Sequence, residues 1–328
     1  MNLDALVQAL RASRGFAHKR DIAGALATLT GGAAGRDRPV VAMTGAPQGV
    51  ALGDDCAAIP DGDGFLLFAI EGFVEDFVQT MPWFAGYCGV MVNASDIAAM
   101  GGRAIAVVDA VWGRGDEAAQ PVLEGLAAAA ERYRIPVVGG HSNLRASSGQ
   151  LAVAIVGRAT KLLTSFDAKP GDALVMAVDL RGEFMEPNPF WNASTAAPAE
   201  RLRADLELLP QLAEAGLAHA AKDISMAGTL GTVLMLIEAS RAGAAIDLAA
   251  VPRPAGVALE RWLQAFPSYG FVLATGPANV DAVRARFAAR GIAAARIGHV
   301  EAGSQLWLHA GDARALLWDH GTEAFVGV

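Results

Sequence analysis

The stretch Pro82-Trp-Phe-Ala-Gly-Tyr-Cys-Gly-Val-Met-Val-Asn-Ala-Ser-Asp-Ile-Ala-Ala-Met-Gly-Gly102 organises the first half of the chain. Its apolar pattern predicts a long helix from about Pro82 to Met100, and Gly101-Gly102 provides the left-handed residue with which helices commonly end. Around this helix the sequence predicts strands at 65–70, 104–111 and 150–157, a helix at 117–133 and a strand ending at Gly140. This alternation of helices and strands predicts a first half rich in βαβ units.

The second half begins with a turn, Lys169-Pro-Gly-Asp172, followed by an apolar strand at 173–178. Further on, the pattern predicts helices at about 199–215, 225–242, 254–265 and 278–290, and strands at 246–248, 270–274 and near 295–308. We therefore predict a two-domain α+β fold. The predicted segments are an N-terminal extension at 1–38, which is helical at about 2–30, a first domain at 39–162 and a second domain at 163–328.

Two segments lack a clear helix or strand pattern. From Arg181 to Pro198 the chain is rich in proline, asparagine and aromatic residues, and its prolines predict a loop or lid. The aromatic side chains of this loop would either stack on an organic substrate or pack the loop onto the protein body. The glycines of Gly31-Gly32-Ala-Ala-Gly35 lack the lysine of a P-loop, which favours a flexible connection over a phosphate cradle.

Composition narrows the classes of function. The 328 residues carry a formal charge of −8, and the basic residues are scattered, which argues against a nucleic-acid partner. Neither Cys56 nor Cys88 lies in a metal-ligand or disulfide pattern. The N-terminus lacks the apolar core of a signal peptide, and no apolar run approaches the roughly 18 residues that span a bilayer. These features predict a cytoplasmic protein without a membrane partner.

Carboxylates cluster at turns and strand ends. Asp54 and Asp55 follow Gly53, Glu71 ends an apolar run, Asp96 lies in the first half, and Asp223 lies in the second. Oxygen ligands of this kind suit Mg²⁺, which retains several waters and bridges phosphates. An aspartate at a turn also caps or closes the turn without any metal, so spacing alone leaves both interpretations open.

Four motifs of the first half resemble those of a known superfamily. They are Leu52-Gly-Asp-Asp-Cys-Ala57, Phe68-Ala-Ile-Glu-Gly72, Val92-Asn-Ala-Ser-Asp-Ile-Ala-Ala-Met-Gly101 and Val138-Gly-Gly-His141. In order and spacing they are similar to the ATP-binding half of thiamine-monophosphate kinase, selenophosphate synthetase and PurM-like (AIR synthetase-related) proteins. Lys169-Pro-Gly-Asp172, Lys222-Asp-Ile-Ser225 and the stretch from Glu238 to Leu248 continue the resemblance, which covers roughly residues 50–300.

The resemblance implies a first domain whose open sheet pairs across a homodimer, a second α/β domain, and ATP with Mg²⁺ as cofactors. The positions that match the relatives' metal ligands are Asp54, Asp55, Asp96 and Asp223, with Glu71 where the kinase has aspartate. Asp54 and Asp223 would also be catalytic. Gly53, Asn93, Gly139, Gly140 and His141 would approach the nucleotide, although His141 would equally cap a strand. Lys19 would either reach a γ-phosphate as a catalytic lysine or lie on a solvated helix face.

Departures from the resemblance limit the assignment. Met226 replaces one aspartate of the kinase, Pro267-Ser-Tyr-Gly-Phe-Val272 replaces a Gly-Gly-Glu-Asp segment, and the N-terminal cysteine of selenophosphate synthetase is absent. The sequence therefore predicts a Mg-ATP-dependent phosphoryl-transfer or ATP-activated synthetase-type enzyme acting on an unidentified small-molecule acceptor. The alternatives are thiamine-monophosphate kinase itself and a non-catalytic nucleotide-binding subunit.

Overall fold

The computed structural model describes residues 2–29, 40–42 and 49–328. The glycine-rich stretch Gly31–Gly35 lies outside these residues. The helices are α1 Leu3–Arg11, α2 Arg14–Leu29, α3 Glu75–Thr80, α4 Pro82–Ala99, α5 Asp116–Tyr133, α6 Ala199–Leu206, α7 Leu208–Glu214, α8 Gly228–Ser240, α9 Leu259–Leu263 and α10 Val280–Ala288. The strands are β1 Val40–Val41, β2 Val50–Ala51, β3 Ala57–Asp61, β4 Gly64–Phe73, β5 Arg103–Arg114, β6 Val137–Asn143, β7 Arg145–Ala159, β8 Ala173–Val178, β9 Glu183–Phe184, β10 Phe190–Asn192, β11 Ala220–Asp223, β12 Gly243–Asp247, β13 Phe266–Pro267, β14 Gly270–Thr275, β15 Ala293–Glu301, β16 Gln305–Ala310 and β17 Ala313–Asp319.

The chain divides into two compact units. Unit 1 comprises residues 1–54, 163–195 and 212–328, and unit 2 comprises residues 55–162 and 196–211. Each unit combines helices with its own sheet, which confirms the predicted two-domain α+β fold. The boundaries assigned from the sequence, at 38/39 and 162/163, stay a prediction.

Unit 2 is built on a five-stranded sheet in the order β3-β4-β7-β5-β6. All its pairings are antiparallel except that of β5 with β6, which are joined by the crossover helix α5. Helix α4 is apolar all round and almost wholly buried, as expected of a helix covered on every side. It lies very close to α5, because a Cβ on Gly86 would overlap the Val122 carbonyl and one on Gly125 would overlap that of Trp83.

Unit 1 contains a seven-stranded sheet in the order β11-β14-β8-β15-β12-β16-β17, in which only the β12–β16 pair is parallel. Its core joins residues of α1 and α8 to the apolar residues of these strands. Helix α8, like α4, is buried along nearly its whole length. The sheet also contains β11 and β17, two edge strands that the sequence analysis did not predict.

The N-terminal helical segment predicted at about 2–30 is confirmed, and it consists of two helices. Helix α1 ends at Arg11, and the Ser13 hydroxyl accepts a hydrogen bond from the Phe16 N–H, 3.3 Å away, at the start of α2. Serine favours such local bonds over the interior of a helix. The break lets Phe16 pack fully buried against Trp318 and Phe325.

The segment 181–198 contains β9 and β10, so the prediction of an irregular loop is wrong in part. Strand β10 pairs with β9 on one side and with β13 on the other. Trp191 is buried, with its ring centroid 5.2 Å from those of both Phe184 and Trp262, and its indole N–H donates to the Asp179 carbonyl. For Phe184 and Trp191, the structure supports packing onto unit 1 over stacking on a substrate.

In the part of the chain that the structure describes, no helix is both long and apolar enough to cross a membrane. Cys56 and Cys88 are both buried free thiols. Burial raises the pKa of the Cys88 thiol far above its usual range, so this side chain stays protonated.

Candidate functional site

Helix α4 brings one predicted metal ligand close to another. Asp96 lies in the last turn but one of α4 and is only 5% exposed. A carboxylate oxygen of Asp96 lies within 4.8 Å of one of Asp55, the residue that precedes β3 by two positions. Two carboxylates at this separation repel each other, and a divalent cation between them would remove that repulsion.

Asn93 lies one turn before Asp96 on α4, so both side chains project from nearly the same side of the helix. It is fully buried, and its amide nitrogen donates to the Gly89 carbonyl at 2.7 Å and to the Val153 carbonyl at 3.0 Å. Its amide oxygen is also buried and has no hydrogen-bond partner among the described residues. Because an unsatisfied buried acceptor is costly, this oxygen is suited to a cation or a ligand donor.

Glu71 lies in a row of paired residues that crosses the sheet of unit 2. The row runs from Glu71 on β4 through Val153 on β7 and Asp109 on β5 to Gly140 on β6. Directly paired residues project to the same side of a sheet. Val153 is fully buried and would meet a Cβ on Gly89 at 2.7 Å, so this row faces α4.

Asp109 is a polar residue of this row that the sequence analysis missed. Its carboxylate leans over Gly140, where any Cβ would overlap its Oδ1. Partial burial raises the pKa of Asp109 because it removes water from the charged form. The available signal was a single aspartate inside the otherwise apolar run Ile105-Ala-Val-Val-Asp-Ala-Val111.

Three residues predicted to contact the nucleotide lie on the edge strand of unit 2. Gly139, Gly140 and His141 belong to β6, whose residues are all exposed. Gly140 needs to be glycine because of Asp109, a packing reason that is independent of phosphate binding. His141 is paired with Ala110 inside the strand, so it does not cap the strand end.

Asp54 and Gly53 belong to unit 1. Both carboxylate oxygens of Asp54 accept hydrogen bonds from Ser165, one from its N–H at 2.9 Å and one from its hydroxyl at 2.5 Å. Ser165 is fully buried, which fixes the orientation of the Asp54 carboxylate. Gly53 has φ +102°, a conformation that favours glycine.

The remaining predicted residues also lie in unit 1. Asp223 ends β11 and is 5% exposed, and the Thr232 hydroxyl donates to its carbonyl at 3.3 Å. Two residues later, the Ser225 hydroxyl is buried without a hydrogen-bond partner among the described residues. Lys19 lies half-buried in the second turn of α2.

Two models of one protein family match most of the chain. Residues 53–159 match the family model of the AIR synthase related protein N-terminal domain, and residues 169–309 match that of its C-terminal domain. An uncharacterized protein of Synechocystis sp. is 45% identical over 315 residues, which cover 96% of this chain and 95% of the relative. A thiamine-monophosphate kinase of Pyrococcus horikoshii is 30% identical over 138 residues, which cover 40% of this chain and 44% of the kinase.

Among solved structures, T. maritima PurL complexed with ATP superposes with a TM-score of 0.70 at 19% identity. The match covers 85% of this chain and 47% of PurL, so the chain spans about half the length of that relative. At this identity the similarity shows the fold alone. Together with the two family models, these matches show that the chain belongs to the AIR synthase-related, PurM-like family, whose relatives include kinases and synthetases.

Proposed function

We propose that this protein is an enzyme that uses Mg-ATP for phosphoryl transfer to, or activation of, a small-molecule acceptor. The observation that carries the proposal is the pair of carboxylates Asp55 and Asp96, with oxygens within 4.8 Å of each other and Asp96 buried. Two carboxylates this close repel each other, and a divalent cation between them would offset that repulsion. The solved PurL complex with ATP and the kinase relative support a nucleotide as part of that ligand.

The donor set fits magnesium. Carboxylate and amide oxygens are hard ligands, and unit 2 offers Asp55, Asp96 and the unsatisfied amide oxygen of Asn93. When bound at these residues, Mg²⁺ would offset the negative charge on the transferring phosphoryl group. The protein's own contribution is orientation, since the two hydrogen bonds of the Asn93 amide to Gly89 and Val153 fix its oxygen in place.

Glu71, Asp54 and Asp223 remain proposed metal ligands. Glu71 is half-buried in the sheet of unit 2, in the row that faces α4. The Asp54 carboxylate is oriented by its two hydrogen bonds from Ser165. Catalytic roles for Asp54, Asp223 and Lys19, and nucleotide contacts by Gly53, Gly139, Gly140 and His141, rest on the family resemblance.

The deciding experiment is calorimetric titration of ATP into the wild-type protein and into Asp55→Asn, each with Mg²⁺ and with EDTA. We expect the wild type to bind only with Mg²⁺ and Asp55→Asn to lose at least about a hundredfold in affinity. Asp76→Asn is the matched control, because Asp76 is an exposed carboxylate in the first turn of α3, in the same unit. A folded wild-type protein that binds no adenine nucleotide would refute the proposal.

A non-catalytic nucleotide-binding subunit is the alternative that one observation favours. Met226, at a position where the kinase family has aspartate, cannot bind a metal through oxygen, and its carbonyl packs against Gly15 at the start of α2. Thiamine-monophosphate kinase itself is disfavoured for the same reason. ADP release measured with a panel of phosphate-accepting alcohols, amines and carboxylates, including thiamine monophosphate, separates the three functions. Mg-ATP binding without turnover across the panel would favour the binding subunit.

We also propose that the protein forms a homodimer through the uncovered face of the unit 2 sheet. That face exposes apolar residues of β4 and β5, with Ile70 65% exposed, Phe68 51% exposed and Val108 41% exposed. The row Ile70-Ala154-Val108-Gly139 is apolar across four strands. Such a patch on a monomer typically marks an interface.

Analytical ultracentrifugation tests the dimer. Ile70→Glu places a charge in the middle of the face, and we expect it to give monomers where the wild type gives dimers. Leu123→Glu, at an exposed apolar residue of α5 away from this face, should leave the dimer intact. A monomeric wild type would refute the interface.

A further inference from the structure

Residues Phe325 to Val328, here named the tail segment, are held in unit 1 by one buried carboxylate. The N–H groups of Phe325 and Val326 each donate to a Glu238 oxygen at 2.8 Å, and that of Gly327 donates at 3.3 Å. Glu238 lies near the end of α8 and is only 5% exposed. Hydrogen bonds to a buried carboxylate are among the stronger ones in proteins, so the tail segment is fixed at this point.

The tail segment lies against two neighbours that leave it little room. A Cβ on Gly327, which has φ +77°, would come 3.0 Å from the Ala23 Cβ of α2. On the other side, a Cβ on Gly53 would overlap the Val328 side chain. The tail segment therefore contacts the residue that immediately precedes the predicted ligands Asp54 and Asp55.

The same end of α8 is also connected to Asp54 through Ser165. The Ser240 hydroxyl donates to the Ser165 carbonyl at 2.7 Å, and Ser165 in turn donates its N–H and hydroxyl to the Asp54 carboxylate. Glu238 and Ser240 thus act on Gly53-Asp54 by two independent routes, one through the tail segment and one through Ser165.

We propose that Glu238 is a positioning residue that fixes the Gly53-Asp54 backbone through the tail segment and thereby sets the affinity of Asp54 for the metal. The proposal rests on the proposed function, since it deepens the role of the same carboxylates. Groups behind metal ligands commonly tune affinity by orienting those ligands. Glu238 contacts the tail backbone and would not touch the metal or nucleotide.

The test combines hydrogen–deuterium exchange with Mg²⁺ titration on the full chain. In Glu238→Gln, we expect the amides of Gly53, Asp54 and Ser165 to exchange at least about tenfold faster. At fixed ATP, the Mg²⁺ concentration for half-maximal nucleotide binding should rise about tenfold, and Glu238→Asp should restore part of it. Thr229→Val is the matched control, a buried polar residue of α8 whose hydroxyl contacts the Met176 sulfur and not the tail segment.

Val328→Ala provides a second variant if Glu238→Gln does not fold. This substitution shortens only the Val328 side chain, which packs against Gly53. We expect faster exchange at Gly53 and Asp54 in this variant too. Faster exchange confined to the tail segment in both variants, or an equal Mg²⁺ shift in Thr229→Val, would overturn the proposal. If wild type binds no nucleotide, the proposed function falls, while the exchange data still decide whether Glu238 positions Gly53-Asp54.

Discussion

Helices α4 and α8 resemble each other in their surroundings and differ in how their buried polar groups are satisfied. Each is apolar, almost wholly buried and packed on the sheet of its own unit. In α8 the Glu238 carboxylate accepts three backbone hydrogen bonds. In α4 the Asp96 carboxylate lies close to a second carboxylate, and the Asn93 oxygen has no partner among the described residues.

This difference distinguishes a buried polar group that stabilises the fold from one that is suited to bind a ligand. A buried group whose hydrogen bonds are complete stabilises the fold, and its loss leaves donors without acceptors. A buried group that is crowded by like charge or left unsatisfied costs stability, and such a cost is typical of sites that await a ligand. Removing the charge of Asp96 should therefore change stability in the opposite direction to removing that of Glu238.

The largest effect is expected for Glu238→Ala. Three N–H groups of the tail segment would lose a buried acceptor, so the free energy of unfolding should fall by about 3 kcal/mol or more. Urea denaturation measures this loss. Ser240→Ala, two residues on, removes one neutral hydrogen bond to Ser165 and should cost about 1 kcal/mol. Equal losses in the two variants would contradict a special role for the carboxylate.

Asp96→Asn should act in the opposite direction on stability. Removing one of two neighbouring charges relieves repulsion with Asp55, so the metal-free Tm should stay level or rise. Affinity for Mg-ATP should nevertheless fall at least about a hundredfold. Differential scanning calorimetry and titration on the same samples check both. A clear drop in the metal-free Tm would show that Asp96, like Glu238, stabilises the fold.

Asn93→Leu tests the unsatisfied oxygen. The substitution keeps a side chain of similar size, removes the amide oxygen and leaves the Val153 carbonyl without its side-chain donor. We expect nucleotide affinity with Mg²⁺ to fall about tenfold and stability to fall by about 1 kcal/mol. Ser95→Ala, which removes a hydroxyl bonded to the Met91 carbonyl on the same helix, should leave affinity unchanged. Unchanged affinity in Asn93→Leu would show that the oxygen is not used.

The smallest effect concerns Asp109 and pH. Its pKa is raised by burial in the folded protein, so folding favours the protonated carboxyl. The contribution to stability is present below the unfolded-state pKa and is lost as pH rises through the folded-state pKa. Asp109→Asn should therefore raise the Tm slightly at pH 7 and leave it unchanged at pH 3. Melting curves at the two pH values check this, and a lower Tm at pH 7 would reveal a favourable partner for the charge.

Much of unit 2 was predictable because its elements carry strong local signals. The helix at about 82–100 appears as α4, Pro82–Ala99, and the helix at 117–133 appears as α5, Asp116–Tyr133. A long periodic pattern of apolar residues, or a glycine just after the helix, makes the position of such helices predictable. Predictions were poorer where tertiary contacts determine the ends of a helix. The helix predicted at 199–215 is two helices, α6 and α7, and that at 254–265 shortens to Leu259–Leu263.

The site was predictable only in part. The proximity of Asp55 and Asp96 follows from motifs that the family resemblance identified, because local spacing cannot bring residues 41 positions apart together. The hydrogen bonds of Ser165 to Asp54 and of Glu238 to Phe325 join segments 111 and 87 residues apart. No sequence pattern signals contacts of that range. Asp109 carried a signal, a charge inside an apolar strand, that the motif comparison did not use.

The discontinuity of unit 1 has a consequence for synthesis on the ribosome. Residues 1–54 belong to the same unit as residues 212–328, while most of unit 2 comes from the continuous stretch 55–162. Phe16 emerges among the first residues, yet its partners Trp318 and Phe325 are made about three hundred residues later. Most of unit 2 is therefore positioned to fold first, and Phe16 of α2 reaches its native packing only when translation is nearly complete.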